Sequence, residues 1–372
     1  MNSDQIWEKI QKGVLIIADA GKNFIQTEEE KSTEEYLENA KEIVDKAIWA
    51  GADVIKWQTH NVEDEQVDMT IDSPHAKDLD RYKWTTRNTN STPVETFWKP
   101  LREYCDQKGI AFLSTPMSRG AAERLTSAGS TFWKIGSGDI LDFVMMDYLR
   151  NSGKPVIMSS GMSTFEEVKK GINFLKAKNN RVALMHCLSK YPGAPEEANL
   201  SVSELYRETF PGTPIGFSEN SLGIEPSCIA VAFGATIVEK HFTLDRAFWG
   251  PDHKVASTPE EFKTMVGSIR AMENSDEEKR KWLSLPNIKA VLGDKEKKLN
   301  PDEEPLRPIW RKALVAGADV PAGTVVTASM IYALRPQAYV SGLASERYEE
   351  VLGRKTKKDL KKFDPITEDV LE

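Results

Sequence analysis

A chain of 372 residues with a net charge of −8, 40% apolar and 28% charged residues has ordinary globular composition, which excludes a disordered tail or a fibrous repeat. Its length exceeds the size at which one hydrophobic core stops growing, so a domain of roughly 250 residues with a smaller companion is expected. The acidic balance argues against a nucleic-acid partner, which would demand a basic face. No apolar run approaches the ~18 residues of a membrane span, and Met1 to Lys12 lacks a signal-peptide core, so no membrane association and a cytoplasmic location are expected.

In chain order, short β-rich runs alternate with longer segments of helical period. The runs cover 14–21, 53–60, 110–117, 131–140, 155–162, 181–191, 214–221 and 236–244, which predicts eight strands. Helix starts are marked by Ser32 with Glu35, Ser163 with Glu166, and Thr258 followed by Pro259 and Glu261. Gly51, Gly109, Gly129 and Gly234 mark helix ends. Strict alternation implies a parallel sheet. Eight units in about 260 residues, with no glycine-rich dinucleotide fingerprint after the first strand, imply an α/β fold closed as a (β/α)8 TIM barrel. Residues 1–274 form this expected catalytic domain. Charged, proline-punctuated residues 275–308 read as a linker with room for one helix, and 309–372 as a small C-terminal domain of short strands and turns, acting as a lid or assembly module. The basic run from Arg354 to Lys362 reads as a solvated face.

In such a barrel the last residues of each strand point into the mouth, so polar residues there call for a functional reading. Nearly every predicted strand supplies some. In strand order they are Asp19 and Asn23; Lys56, Gln58 and His60; Ser114 and Thr115; Lys134, Ser137 and Asp139; Ser159 and Ser160; His186, Ser189 and Tyr191; Ser218, Glu219 and Asn220; and Glu239, Lys240 and His241, followed by Asp252 and His253. Two lysines and several hydroxyls facing one cavity of an acidic protein point to a substrate with phosphate or carboxylate. The acids beside them point to a polyhydroxylated partner and a proton to be moved. His241 is the strongest metal candidate, whereas His60 and His75 have no supporting context. Cys105, Cys187 and Cys228 are widely spaced and suggest neither a disulfide framework nor a zinc site; Cys187, beside a motif, reads as a packed strand residue.

The strings Lys56-Trp-Gln-Thr, Phe112-Leu-Ser-Thr-Pro-Met-Ser-Arg, Trp133-Lys-Ile-Gly-Ser-Gly-Asp, Ser159-Ser-Gly-Met-Ser-Thr, Met185-His-Cys-Leu-Ser-Lys-Tyr-Pro and Glu239-Lys-His-Phe-Thr, with Gly250-Pro-Asp-His, resemble the sialic acid synthase (N-acetylneuraminate synthase) family in order and spacing. Arg311-Lys-Ala-Leu-Val-Ala, Leu334-Arg-Pro and Val351-Leu-Gly-Arg-Lys resemble that family's antifreeze-like (SAF) domain. The resemblance implies a transferase that condenses phosphoenolpyruvate with an N-acetylated amino sugar to give a nine-carbon 2-keto acid and phosphate. By similarity, Lys56, Thr115, Lys134, Ser137, Ser159, Ser189 and Ser218 hold phosphoenolpyruvate. Gln58, Asp139, Tyr191 and Asp252 meet the sugar. Lys134, Asp19, Asp139 and Asp252 are the implied catalytic groups. The resemblance further implies a homodimer in which the C-terminal domain caps the other subunit's barrel and Arg335 reaches across to the sugar.

The chain departs from that pattern on the sugar side. The family's metal site takes a histidine from each of strands seven and eight; here His241 remains and Asn220 replaces the other, a weaker ligand that puts the implied Mn2+ or Mg2+ in question. Asp19 stands where the family carries glutamate, and Asn23-Phe24 where it carries Asn-His. These changes point to an altered acceptor sugar. The competing readings are a Schiff-base aldolase using Lys134 or Lys56 and a non-catalytic sugar-acid binding protein.

Overall fold

The structure, a computed structural model, describes residues 1–73, 76–178, 181–190 and 192–372. The eight predicted strands are all present and all shorter than the apolar runs: β1 Leu15–Gly21, β2 Val54–Thr59, β3 Ala111–Pro116, β4 Trp133–Ile135, β5 Val156–Ser159, β6 Val182–Cys187, β7 Ile215–Glu219 and β8 Ile237–His241. They form one parallel sheet in the order β3-β2-β1-β8-β7-β6-β5-β4, and β3 lies against β4 to complete the ring. The runs overshot because the polar turns that follow each strand leave the ladder as soon as they reach the mouth.

Alternation along each strand divides the core in two. Leu15, Ile17, Val54, Ala111, Leu113, Phe132, Ile157, Ala183, Met185 and Ile237 fill the barrel interior, together with Ile6 and Ile10 of the N-terminal helix α1, Ser3–Lys12. Helix α1, a segment left unassigned by the sequence reading, therefore closes the barrel floor. Its capping box between Asn2 and Gln5 starts it, and burying Ile6 and Ile10 to 1% exposure contributes about 2 kcal/mol each. The alternate positions on the strands, such as Ile16, Trp57, Phe112, Trp133 and Leu184, face the surrounding helices.

Two of the expected helix starts are present as read. Ser32 caps α2, Thr33–Trp49, with Glu35 reciprocating, and Thr258 caps the helix Pro259–Glu273 with Glu261. The third shifts by one residue: Thr164, not Ser163, caps Phe165–Lys176 with Glu167, because the Ser163 hydroxyl is turned back to Gly161 O at 3.0 Å. Between β2 and β3 lie a short antiparallel strand pair, Asp72–Ser73 with Ala76–Asp80, and the helix Arg81–Ser91, whose Arg81, Trp84 and Thr85 line the mouth.

Residues 275–308 are more built than their composition suggests. They hold two helices, Asp276–Leu283 and Ile288–Leu292, of which the second buries Val291 in a cluster with Leu200, Phe217 and Ile229 on the barrel's flank. The C-terminal domain pairs β9, Ala313–Ala316, antiparallel with β10, Ile331–Leu334. Single bridges such as Val315 to Pro365 and Val320 to Leu360 do the rest of the pairing. The domain sits over its own barrel's mouth. Arg335 N donates to Glu65 O, Val67 N to Arg335 O, and Lys312 Nζ to Asp142 and Met117 O, the latter two at 2.6 Å. No described helix is long and apolar enough to cross a membrane.

Candidate active site

Period-two alternation decides which strand-end residues enter the mouth. Asp19, Lys56, Gln58, Thr115, Lys134, Ser159, Cys187, Ser218, Asn220, Glu239 and His241 all line one pocket, joined by Ser137, Asp139, Ser189 and Asp252 from the turns. The register sets their levels: Asp19 lies between Lys56 and His241, Gln58 beside Thr115, and Ser218 between Cys187 and Glu239. Below its open mouth the cavity measures about 130 Å3.

One side of the pocket is a charge-paired network. Lys134 Nζ donates to Ser159 Oγ at 2.6 Å and lies 3.5 Å from Glu239 Oε1. Lys56 Nζ lies 2.8 Å from Asp19 Oδ2, 4.0 Å from Glu239 Oε2 and 3.4 Å from Thr115 Oγ1. Ser218 Oγ donates to Glu239 Oε1 at 2.9 Å. Glu239 thus stands between the two lysines. Burial works against its charge, but Lys134 and Lys56 overcome that and hold it below the usual carboxylate range. Burial pulls Lys134 below an ordinary lysine, with Glu239 only partly offsetting it. Lys56 is buried as well, yet Asp19 and Glu239 outweigh the burial and raise it. Ser137 and Ser189 meet over Gly161, where a Cβ would fall 2.1 Å from Ser189 Oγ and 2.7 Å from Ser137 Oγ. Only glycine leaves those hydroxyls room.

The opposite side is assembled from turns and from the C-terminal domain. Asp252 approaches Gly21, whose φ of +53° is the left-handed turn that lets the chain leave β1. Lys22 bonds Gln58 Oε1 and lies 3.7 Å from Asp252 Oδ2; burial lowers its pKa, with Asp252 opposing. Asp139, in the turn after β4, is bonded by Arg335 and lies 3.3 Å from Lys312 Nζ. Arg335 is fully buried and here serves its own chain's barrel. Arg81 lies over the Trp310 ring, guanidinium carbon to ring centre 3.9 Å, and Trp84 completes the wall.

Several strand-end candidates do not enter the pocket. Ser114 bonds Thr59, Ser160 bonds Met185 O and Tyr206, and Lys240 pairs at 3.2 Å with Glu219, which itself borders the pocket. His186 points outward to Ala198 O at 2.8 Å, and burial drives its pKa down to about 3. Asn23 bonds Phe242 O, and His253 ties Thr243 to Ile25 O. Tyr191 and His75 lie outside the described residues. Cys187, read as a packed residue, is in the pocket wall, but burial pushes its thiol above the ordinary value, which leaves it no thiolate character. The sequence reading gave no role to Lys22, Arg81, Trp84 or Trp310. Lys22 had a visible signal, a cation in the turn directly after a strand; Arg81, Trp84 and Trp310 belong to helices outside the repeating strand-and-helix units, Arg81–Ser91 and Arg307–Trp310.

The same pocket can be set against known proteins. Residues 43–281 match the NeuB family, and residues 311–372 match the SAF domain. The chain belongs to the NeuB family. It is 31% identical over 96% of its length to the N,N'-diacetyllegionaminic acid synthase of Campylobacter jejuni, all of which is covered. It is 28% identical over 98% of its length, and 95% of the relative's, to the human N-acetylneuraminate-9-phosphate synthase. The crystal structure of the spore coat polysaccharide biosynthesis protein SpsE of Bacillus subtilis superposes with a TM-score of 0.74 at 30% identity, covering 97% of this chain and 95% of that one. The resemblance to sialic acid synthases with a C-terminal SAF domain is borne out. As a NeuB family member the chain is an enzyme, a transferase, and a non-catalytic binding protein is set aside.

For a metal, this NeuB family member offers His241, whose Nδ1 lies 3.5 Å from Asp19 Oδ2, and Asn220, whose amide nitrogen donates to Leu188 O at 2.8 Å. Asp19 is already engaged by Lys56. Among the described residues, no group of three or more His, Cys, Asp or Glu side chains is placed to share an ion. One imidazole and one amide make a poor donor set for a transition metal. The residues present do not fit a divalent centre built by the chain.

Proposed function

We propose that this enzyme condenses phosphoenolpyruvate with the open-chain aldehyde of an N-acetylated amino sugar, giving a nine-carbon 2-keto sugar acid and inorganic phosphate. The observation that carries the reading is the pair of buried lysines, Lys56 and Lys134, on either side of Glu239 and ringed by Thr115, Ser137, Ser159, Ser189 and Ser218. Two cations and five hydroxyls suit a small molecule with both a phosphate and a carboxylate. C3 of the enol forms the new bond to the aldehyde carbon, the aldehyde oxygen takes a proton, water adds at C2, and the C2–O bond to phosphate breaks. The lysines fix the donor and hold its charge. Asp19 and Glu239, at the junction of the two sides, orient the water. Lys22, whose proton burial makes easier to give up, and His241 face the developing alkoxide. Gln58, Asp139, Asp252 and Arg335 bind the sugar.

The acceptor classes compatible with this pocket are N-acetylmannosamine and the doubly N-acetylated 6-deoxyhexoses. We propose that no tightly held Mn2+ or Mg2+ is needed, given the donor set of His241 and Asn220. The test is a phosphate-release screen of these sugars with phosphoenolpyruvate, with and without chelator. Release that depends on the sugar and survives chelation is expected, and Asn220→His should create measurable manganese binding. Release abolished by chelation would overturn the metal-free reading, and pyruvate trapped on Lys134 by borohydride would replace the synthase with a Schiff-base aldolase. We propose further that the barrel-to-domain contacts also operate between two chains of a homodimer. Mixing the impaired variants Lys134→Met and Arg335→Ala would then raise activity above that of either alone; a monomer by light scattering would refute exchange.

A further inference from the structure

The turns that carry the phosphoenolpyruvate-side hydroxyls lie beyond the strand ladders, since β5 ends at Ser159 and β6 at Cys187. Two side chains from the segment leading into the C-terminal domain fasten them. Glu303, 1% exposed, accepts through Oε1 the backbone N–H of Met162 at 3.1 Å and of Ser189 at 2.7 Å. Its Oε2 accepts Asn300 N at 3.2 Å. Arg311, also buried, donates through Nη2 to Met162 O at 2.8 Å and Ser163 Oγ at 3.0 Å, and through Nη1 to Ser137 O at 3.3 Å and Gly138 O at 3.2 Å. Met162 is therefore held on both its N–H and its C=O, at a φ of +50° that a non-glycine residue adopts only when its surroundings impose it. Its neighbour Gly161 is the glycine over which Ser137 and Ser189 converge, and Gly161 N donates to Ser137 Oγ at 3.0 Å.

We infer that Glu303 and Arg311 are a positioning pair that sets the turns after β4, β5 and β6, so that the docked C-terminal segment controls affinity for the phosphorylated donor. Neither residue lines the pocket, and each acts through the backbone that presents Ser137 and Ser189. Glu303 binds two turns at a single oxygen, so losing it frees both N–H groups and lets Met162 relax from its left-handed conformation. The inference rests on phosphoenolpyruvate being the donor.

The experiment is calorimetric titration of the full-length protein with phosphoenolpyruvate and with inorganic phosphate, together with KM for donor and acceptor. Wild type, Glu303→Ala, Glu303→Gln, Arg311→Ala and a packing control, Val291→Ala on the same segment, are compared. Glu303→Ala and Arg311→Ala should each weaken phosphoenolpyruvate binding about tenfold or more, with acceptor KM within about twofold. Glu303→Gln keeps one oxygen for both N–H groups and should recover most of the loss. Val291→Ala should lower the melting temperature without changing donor affinity. The inference is overturned if Glu303→Ala binds phosphoenolpyruvate as wild type does, if Gln rescues nothing, or if Val291→Ala loses equal affinity. Wild type binding neither ligand would overturn the donor assignment itself, and the inference with it.

Discussion

The two sides of the pocket are built by different means. The lysine side takes Lys56, Lys134, Ser159, Ser218 and Glu239 from inward positions of neighbouring strands, with spacing set by the parallel ladder. The opposite side takes Lys22, Asp139 and Asp252 from turns, Arg81 and Trp84 from the excursion after β2, and Trp310 and Arg335 from the far end of the chain. A strand-borne site is held to fractions of an ångström by the barrel, whereas a loop-borne site is free to change. Of the three departures from the family's strings, Asp19 sits at the junction of the two sides, Asn220 lines the pocket, and Asn23-Phe24 turns away into the core. The lysines and carboxylate that face the donor ride on the scaffold, its turn-borne hydroxyls Ser137 and Ser189 are tied down by Glu303 and Arg311, and the acceptor side rides on attachments.

The comparison breaks most readily at Lys134. Lys134→Met should cut kcat/KM for phosphate release by about 10³-fold, since it removes a fixed cation from where charge gathers. Because burial lowers its pKa, donor KM should also rise on the alkaline side at a pH below lysine's ordinary ~10.4, seen in a pH profile of wild type. Arg335→Ala, on the other side, leaves Asp139 with less compensation in a buried setting. It should cost about 10²-fold in kcat/KM for the sugar while donor binding measured by titration stays close to wild type. An equal loss of donor binding would show that the two sides are not separable.

A smaller effect lies behind the strands. His186 has a folded pKa of about 3 against a reference of 6.5, so the buried neutral ring stabilises the fold above pH ~6.5 and that contribution is lost as pH falls toward 3. Between pH 7 and 5 the loss should be about 2 kcal/mol in urea unfolding, and His186→Gln should flatten it. Smallest of all, Lys170→Ala removes an exposed ion pair with Glu346 at the rim of the domain contact. It should change stability by no more than ~0.5 kcal/mol, which would confirm that the buried partners Lys312 and Arg335, not the rim, hold the domain down.

Much of this was readable beforehand, and the exceptions have causes. Lys56, Lys134, Thr115, Ser159 and Ser218 were found because each ends an apolar run. The same criterion admitted Ser114, Ser160, His186 and Lys240, which alternation turns outward; a run of buried residues on both faces hides the parity that separates them. Glu239 was seen without a role, since nothing local reveals that Lys56 and Lys134 flank it. Residues 275–308 looked like solvent-exposed linker because charged residues dominate them, yet Glu303 and Val291 within them are buried.

By itself the sequence determined the barrel, the SAF-like domain and the cationic half of the pocket, because strand periodicity and chain order are local properties and the ladder converts them directly into position. Only the tertiary structure decided that α1 closes the floor, that Glu239 separates the lysines, and that Arg335, Trp310 and Glu303 reach the mouth from the chain's far end. Those contacts join residues as far apart as Arg335 and Glu65, and no local pattern encodes a partner at that distance; packing two domains together does.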